Sequence, residues 1–204
     1  IHCHIGSQIF DTTGFSVATE KMLDILISWR DQFDFVAPIL NLGGGFGVKY
    51  TSNDQPLPSN EYVKQMVEKV KSECSKRNYP LPEIWIEPGR SIVAEAGTSL
   101  YTVGSRKDVE GVRHFLAVDG GMGDNIRPAL YGATYQAFLA DRQTEENQEQ
   151  VTLVGKYCES GDKLIEDLML SPTQPGDIIA MTTTGAYGYS MANNYNRNQK
   201  PAVV

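Results

Sequence analysis

The sequence offers little with which to cross-link itself, span a membrane or grip a nucleic acid. Cysteine is scarce: Cys3, Cys74 and Cys158 are an odd number spread over 204 residues. That spacing makes no disulfide framework and suits a reducing compartment, so a cytoplasmic protein is expected. No apolar run reaches the length of a membrane-spanning helix. Positive charge is in deficit, with 18 Lys plus Arg against 25 Asp plus Glu and a formal charge of -7. A chain of that balance is not a general nucleic-acid binder, although it can hold a local basic pocket. Internal repeats are lacking too. What remains is an ordinary globular composition, 41% hydrophobic and 21% charged, long enough to bury a core in one domain or two small ones.

Hydrophobic spacing divides the chain. Residues 1–6 read as the end of a strand. Over 15–33, Ala18, Met22, Ile25, Trp29 and Phe33 recur at helical spacing and predict an amphipathic helix with that face buried. Over 60–77, Tyr62, Met66, Val70 and Cys74 predict a second. "VAPILNLGGGFG" and "LPEIWIEPGR" read as strands stopped by glycine or by Pro88. The order is strand, helix, strand, helix, strand, the rhythm of a parallel sheet. From residue 97 helical spacing fades. "TSLYTVGSRK", "HFLAVDGG", "VTLVGKYCES" and "GDIIAMTTT" predict a second, mostly antiparallel domain. The polar stretch at 141–150 reads as a solvated hairpin loop.

Several short segments carry chemistry. In "HCHIGSQ", His2 and His4 have strand spacing and share a face, as hydrogen-bonded partners or as ligands. Gly6 and Ser7 can offer N–H and hydroxyl groups to an anion. No third metal ligand follows at a familiar spacing. In "LGGGFG", Gly43, Gly44 and Gly45 remove side chains between backbone and ligand, which serves a tight turn or a phosphate cradle. The spacing fits neither a Walker loop nor a dinucleotide fingerprint. In "EPGR", Glu87 can meet a protonated ring nitrogen and Arg90 a phosphate or carboxylate, or the two can pair together. Arg127 and Tyr131 in "RPALYG", Cys158 and Glu159 in "CESGD", and Tyr187 in "GAYGYSMANNYN" are weak signals singly. A cysteine beside acids is often just a small buried residue.

Taken in order, these six segments resemble the alanine-racemase-like, fold-type III pyridoxal-phosphate decarboxylases of basic amino acids, over essentially the whole chain. The branch most similar converts meso-2,6-diaminopimelate to L-lysine and CO2. The resemblance implies an α/β plus all-β fold. Residues 1–96 would be the C-terminal part of a (β/α)8 TIM barrel, its last three strands. Residues 97–204 would be a mostly antiparallel β-sandwich or barrel-like domain. It implies pyridoxal 5'-phosphate as cofactor and no metal. His4 would stack on the cofactor ring, Ser7 and the backbone of Gly43, Gly44 and Gly45 would hold its phosphate, and Glu87 would keep the pyridine nitrogen protonated. Arg90, Arg127 and Tyr131 would hold the substrate's distal carboxylate, with Tyr187 near phosphate or substrate. Cys158 and Glu159 would reach the neighbouring subunit's site in a head-to-tail homodimer, Cys158 beside the reacting carbon and Glu159 on the distal amino group.

The family's Schiff-base lysine belongs to an early barrel strand upstream of "HCHIGSQ", and neither Lys21 nor Lys49 lies in a comparable motif. The 204 residues are therefore expected to be part of a longer enzyme, clipped at both ends and inactive alone. The nearest alternative is a decarboxylase of the same fold acting on arginine, ornithine, D-lysine, D-ornithine or carboxynorspermidine. A non-catalytic regulatory homologue and a carbohydrate- or phosphate-binding module are more distant alternatives.

Overall fold

A computed structural model describes residues 1–142 and 148–204. The chain divides into two compact units, Ile1–Lys49 with Asn53–Ile92 and Tyr50–Ser52 with Val93–Val204. In the first unit, helices α1 (Thr13–Phe33) and α2 (Ser59–Lys76) alternate with two short parallel strands, β1 (Ile39–Asn41) and β2 (Glu83–Trp85). The opening segment lies along the other side of β1. His2 bridges Asn41 in parallel, Cys3 N–H donates to the Asn41 carbonyl at 3.0 Å, and Asn41 N–H to the Ile1 carbonyl at 2.9 Å. The expected leading strand is thus a single bridge, and three parallel chain segments lie side by side in sequence order. This is the arrangement of consecutive strands in a (β/α)8 barrel.

The core of this unit forms where both helices face β1. Leu23, Leu26, Leu40, Leu42, Phe46, Tyr62, Met66 and Val70 are buried there. Phe46 stacks on Tyr62 with ring centroids 4.8 Å apart, and the Tyr62 hydroxyl donates to the Ile9 carbonyl at 2.6 Å. Helix α2 buries Tyr62, Met66, Val70 and Cys74, the stripe its spacing predicts. Of the expected stripe, helix α1 buries only Met22. Phe15, Thr19, Met22, Leu23 and Leu26 face inward, while Ile25 is 41% and Phe33 69% exposed. The segment carries apolar residues on two faces. The winning face starts at Phe15, whose ring meets Phe46 and Tyr62 edge-on, and Thr19 joins it because its hydroxyl donates to the Phe15 carbonyl at 2.8 Å. After β2, a four-residue helix α3 (Arg90–Val93) begins directly at Arg90.

The second unit holds a six-stranded sheet. Its strands are β3 (Ser99–Val109), β4 (Arg113–Val118), β5 (Ala137–Leu139), β6 (Glu149–Val154), β7 (Lys163–Leu170) and β8 (Ile178–Met181), in the spatial order β5-β8-β3-β4-β6-β7. Only β4 and β6 pair in parallel; the other neighbours are antiparallel. β7 has no clear strand signature in sequence. It is an edge strand with Glu166 and Asp167 at its centre, and Asp167 sits at φ 55°. A five-residue helix α4 (Arg127–Tyr131), too short to show periodicity, follows the loop at 119–126. Residues 143–147 of the expected hairpin loop lie outside the described residues. Among the described residues no helix is long and apolar enough to cross a membrane.

Candidate active site

The C-terminal ends of the parallel segments in the first unit converge on one polar cluster. Its centre is Glu87, just past β2. Asn41, the last residue of β1, donates its Nδ2 proton to Glu87 Oε1 at 2.7 Å, and His2 Nε2 lies 3.2 Å from Glu87 Oε2. The other end of the Asn41 amide accepts the Gly43 N–H at 2.9 Å. One buried side chain therefore orients the carboxylate and fixes the start of the glycine turn. The Asn41 hydrogen bond, helped by His2, holds the Glu87 carboxyl below its ordinary pKa against partial desolvation. Glu87 is an anion at neutral pH, with about half of its side chain open to solvent.

The glycine turn owes its composition to close approach. Gly43 and Gly45 adopt φ of 70° and 98°. A Cβ on Gly43 would lie 2.5 Å from the Cys3 carbonyl oxygen, one on Gly44 would overlap the Glu87 carbonyl, and one on Gly45 the Gly6 carbonyl. Three loops meet main chain to main chain here, and Glu87 N–H donates to the Gly43 carbonyl at 2.7 Å. The Gly44 N–H donates to His4 Nδ1 at 3.3 Å, so a neutral His4 carries its proton on Nε2. Two of the three glycine amides thus already have protein acceptors. Ser7 lies alongside, and its Oγ accepts from the buried Arg90 guanidinium at 2.9 Å.

This donor set fits pyridoxal 5'-phosphate. An ionised carboxylate suits a protonated ring nitrogen, an imidazole can lie against a ring, and a hydroxyl backed by a guanidinium suits a phosphate. The structure brings together His4, Ser7, Gly43, Gly44, Gly45, Glu87 and Arg90, all within the first unit. Sequence reasoning gave no role to Asn41 and did not pair His2 with Glu87. The signal for Asn41 was a lone amide inside the apolar run "PILNLG".

In the second unit Arg127 lies between two phenol rings, its Cζ 5.5 Å from the centroids of both Tyr131 and Tyr187. Its Nε donates to the Tyr135 hydroxyl at 3.1 Å. Tyr187 holds a left-handed φ of 60° between its glycines. Cys158 is exposed rather than a small core residue, and Glu159 accepts a hydrogen bond from the Tyr195 hydroxyl. The CESGD loop is held by Asp162, which is buried and accepts from Met122 N–H at 2.6 Å and Tyr157 N–H at 2.8 Å. Burial pushes the Asp162 carboxyl up, and these two bonds oppose it. Asp162 thus ties the loop bearing Cys158 and Glu159 to the loop that leads into Arg127. Arg127, Tyr131 and Tyr187 form one group; Glu159 and Tyr195 form a pair.

Residues 1–94 match the family model of the pyridoxal-dependent decarboxylase, pyridoxal binding domain. All 204 residues align with diaminopimelate decarboxylase of Bacillus subtilis at 59% identity and of Staphylococcus aureus at 48%. The chain spans about half the length of the curated relatives it matches, 46% and 47% of these two. Among solved structures, diaminopimelate decarboxylase from M. jannaschii in co-complex with L-lysine superposes with a TM-score of 0.90 at 34% identity, covering 98% of this chain and 45% of that one. By aligned sequence over its whole length and by fold, the chain is similar to diaminopimelate decarboxylases, and its first 94 residues match the pyridoxal-binding domain of the pyridoxal-dependent decarboxylases.

Proposed function

We propose that the protein to which these residues belong removes CO2 from meso-2,6-diaminopimelate to give L-lysine, with pyridoxal 5'-phosphate as cofactor, in the cytoplasm. The observation that carries this reading is Glu87, an anion at a strand end, steered by Asn41 and His2 beside a glycine turn with no side chains. The relatives named diaminopimelate decarboxylase supply the substrate.

When bound, the cofactor supplies an electron sink for the pair left on Cα as CO2 departs. The residues of this chain set the conditions for that chemistry. Glu87 holds a proton on the ring nitrogen, which deepens the sink. Asn41 keeps the carboxylate aimed, because its amide is fixed at the other end by Gly43 N–H. His4 would lie against the ring. Ser7, with Arg90 behind it, and the main chain of Gly43, Gly44 and Gly45 receive the phosphate. The turn's main contribution is its lack of bulk, since two of its amides are engaged.

At the far end of the substrate, Arg127 with Tyr131 would bind the second carboxylate. The rings of Tyr131 and Tyr187 hold the Arg127 fork in place. Glu159, oriented by Tyr195, reads the distal ammonium, and Cys158 offers a thiol proton where CO2 has left. Cys158 and Glu159 serve the partner's site in a head-to-tail homodimer. A substrate with a distal carboxylate explains arginine and tyrosine at that end better than ornithine or lysine does. The test is turnover of the full-length protein on meso-diaminopimelate, lysine, ornithine and arginine. The reading expects a preference for meso-diaminopimelate of at least about 100-fold in kcat/KM. Equal or better turnover of any of the other three contradicts it.

A further inference from the structure

We propose that Gln8 is a positioning residue for the cofactor's phosphate, its side-chain amide locking the loop that carries His4 and Ser7 onto the glycine turn. The inference rests on reading the first unit as the pyridoxal-phosphate site. Gln8 has no part in the chemistry above, yet its side chain makes a reciprocal pair of hydrogen bonds. Its Nε2 donates to the Val48 carbonyl at 2.7 Å, and the Val48 N–H donates to its Oε1 at 3.2 Å. The amide thus occupies both main-chain groups of one buried residue, as a neighbouring strand would.

The backbone of Gln8 explains why such a clamp is needed. Its φ is 59°, in the left-handed region that a residue with a side chain enters only when its surroundings enforce it. The chain on both sides is fixed to the same turn. Gly6 meets Gly45 main chain to main chain, Ile9 N–H donates to the Gly45 carbonyl at 2.9 Å, and Gly47 N–H to the Ile9 carbonyl at 2.9 Å. Ser7 stands between these attachments, exposed, with Arg90 on its hydroxyl. Phosphate binding needs donors converging within about 0.5 Å of the right place, so the attachment next to Ser7 bears directly on affinity.

The test compares pyridoxal 5'-phosphate with pyridoxal, which lacks the phosphate. The full-length protein, native, Gln8→Ala and Gln8→Gly, is stripped of cofactor and titrated with each compound. The visible absorbance of the bound compound is followed, with circular dichroism and thermal unfolding run alongside. The dissociation constant for pyridoxal 5'-phosphate is expected to rise about 10-fold or more in both variants, and that for pyridoxal to stay within about 2-fold. Gln8→Gly removes the amide while easing the left-handed backbone, so it decides the matter if Gln8→Ala does not fold. Native affinity for the phosphate compound in a folded variant overturns the inference, as does equal loss for both compounds. A native protein that binds neither compound overturns the reading of the site itself, and the inference with it.

Discussion

At the scale of single residues, the site turns on one amide. Asn41 was the residue least legible in sequence, because an asparagine in a short strand reads as a break rather than as an anchor. Its value becomes visible only when folding brings residue 87 beside residue 41 and both ends of the amide find partners. His4, Ser7 and Glu87 were legible as candidates because each sits in a compact polar segment close to glycine. The glycines themselves were legible as glycines, but their use was not. Sequence leaves open whether bare backbone faces a ligand or another backbone, and here much of it faces other backbone. Asn41→Asp tests the role of the amide. It keeps an acceptor for Gly43 N–H, deletes the donor that chiefly lowers the Glu87 carboxyl, and adds a second negative charge. The pKa of Glu87 must then rise, so the acid limb of kcat/KM against pH moves to higher pH. An acid limb that stays in place contradicts the role given to Asn41.

At the scale of elements, helix α2 was read correctly because its apolar residues form one stripe, whereas α1 offers two and only packing chooses between them. The short strands posed a different problem. β1 and β2 have three residues each, and the opening segment pairs only through the isolated bridges His2–Asn41 and Ile9–Phe46, so register depends on contacts far away in sequence. The two helices are joined by charge as well as by core. Glu73, buried on α2, lies 3.0 Å from Lys69, 3.0 Å from Lys76 and 3.1 Å from Arg77, and Lys69 and Arg77 also reach Glu20 and Asp24 on α1. The Lys69 hydrogen bond, followed by that of Lys76, pushes the Glu73 carboxyl down to about 2 from 4.5. A carboxyl whose pKa falls on folding stabilises the fold above its unfolded value and loses that contribution as pH drops toward its folded value. The urea midpoint of the protein is therefore expected to fall as pH drops from 4.5 toward 2. Glu73→Gln is expected to lower the midpoint at pH 7 and to flatten the acid decline. Parallel curves for the two proteins would remove Glu73 from the account.

At the scale of the whole molecule, the change from helical spacing to short β segments was legible as composition, and the mostly antiparallel sheet follows it. The sheet's order was not, since β5-β8-β3-β4-β6-β7 depends on pairings between strands up to about eighty residues apart. The six motifs fall in two groups: "HCHIGSQ", "NLGGGFG" and "EPGR" in the first unit, "RPALYG", "CESGD" and "GAYGYSMANNYN" in the second. Under the proposed function, the first group would hold the cofactor and the second would recognise the substrate. The central claim is that Glu87 holds a proton on the cofactor's ring nitrogen. The most direct measurement is the nitrogen-15 chemical shift of ring-labelled pyridoxal 5'-phosphate bound to the full-length protein, native and Glu87→Gln, across neutral pH. The account predicts a protonated nitrogen in the native protein and an unprotonated one in Glu87→Gln; an unprotonated nitrogen in the native protein, or no difference between the two, would contradict it.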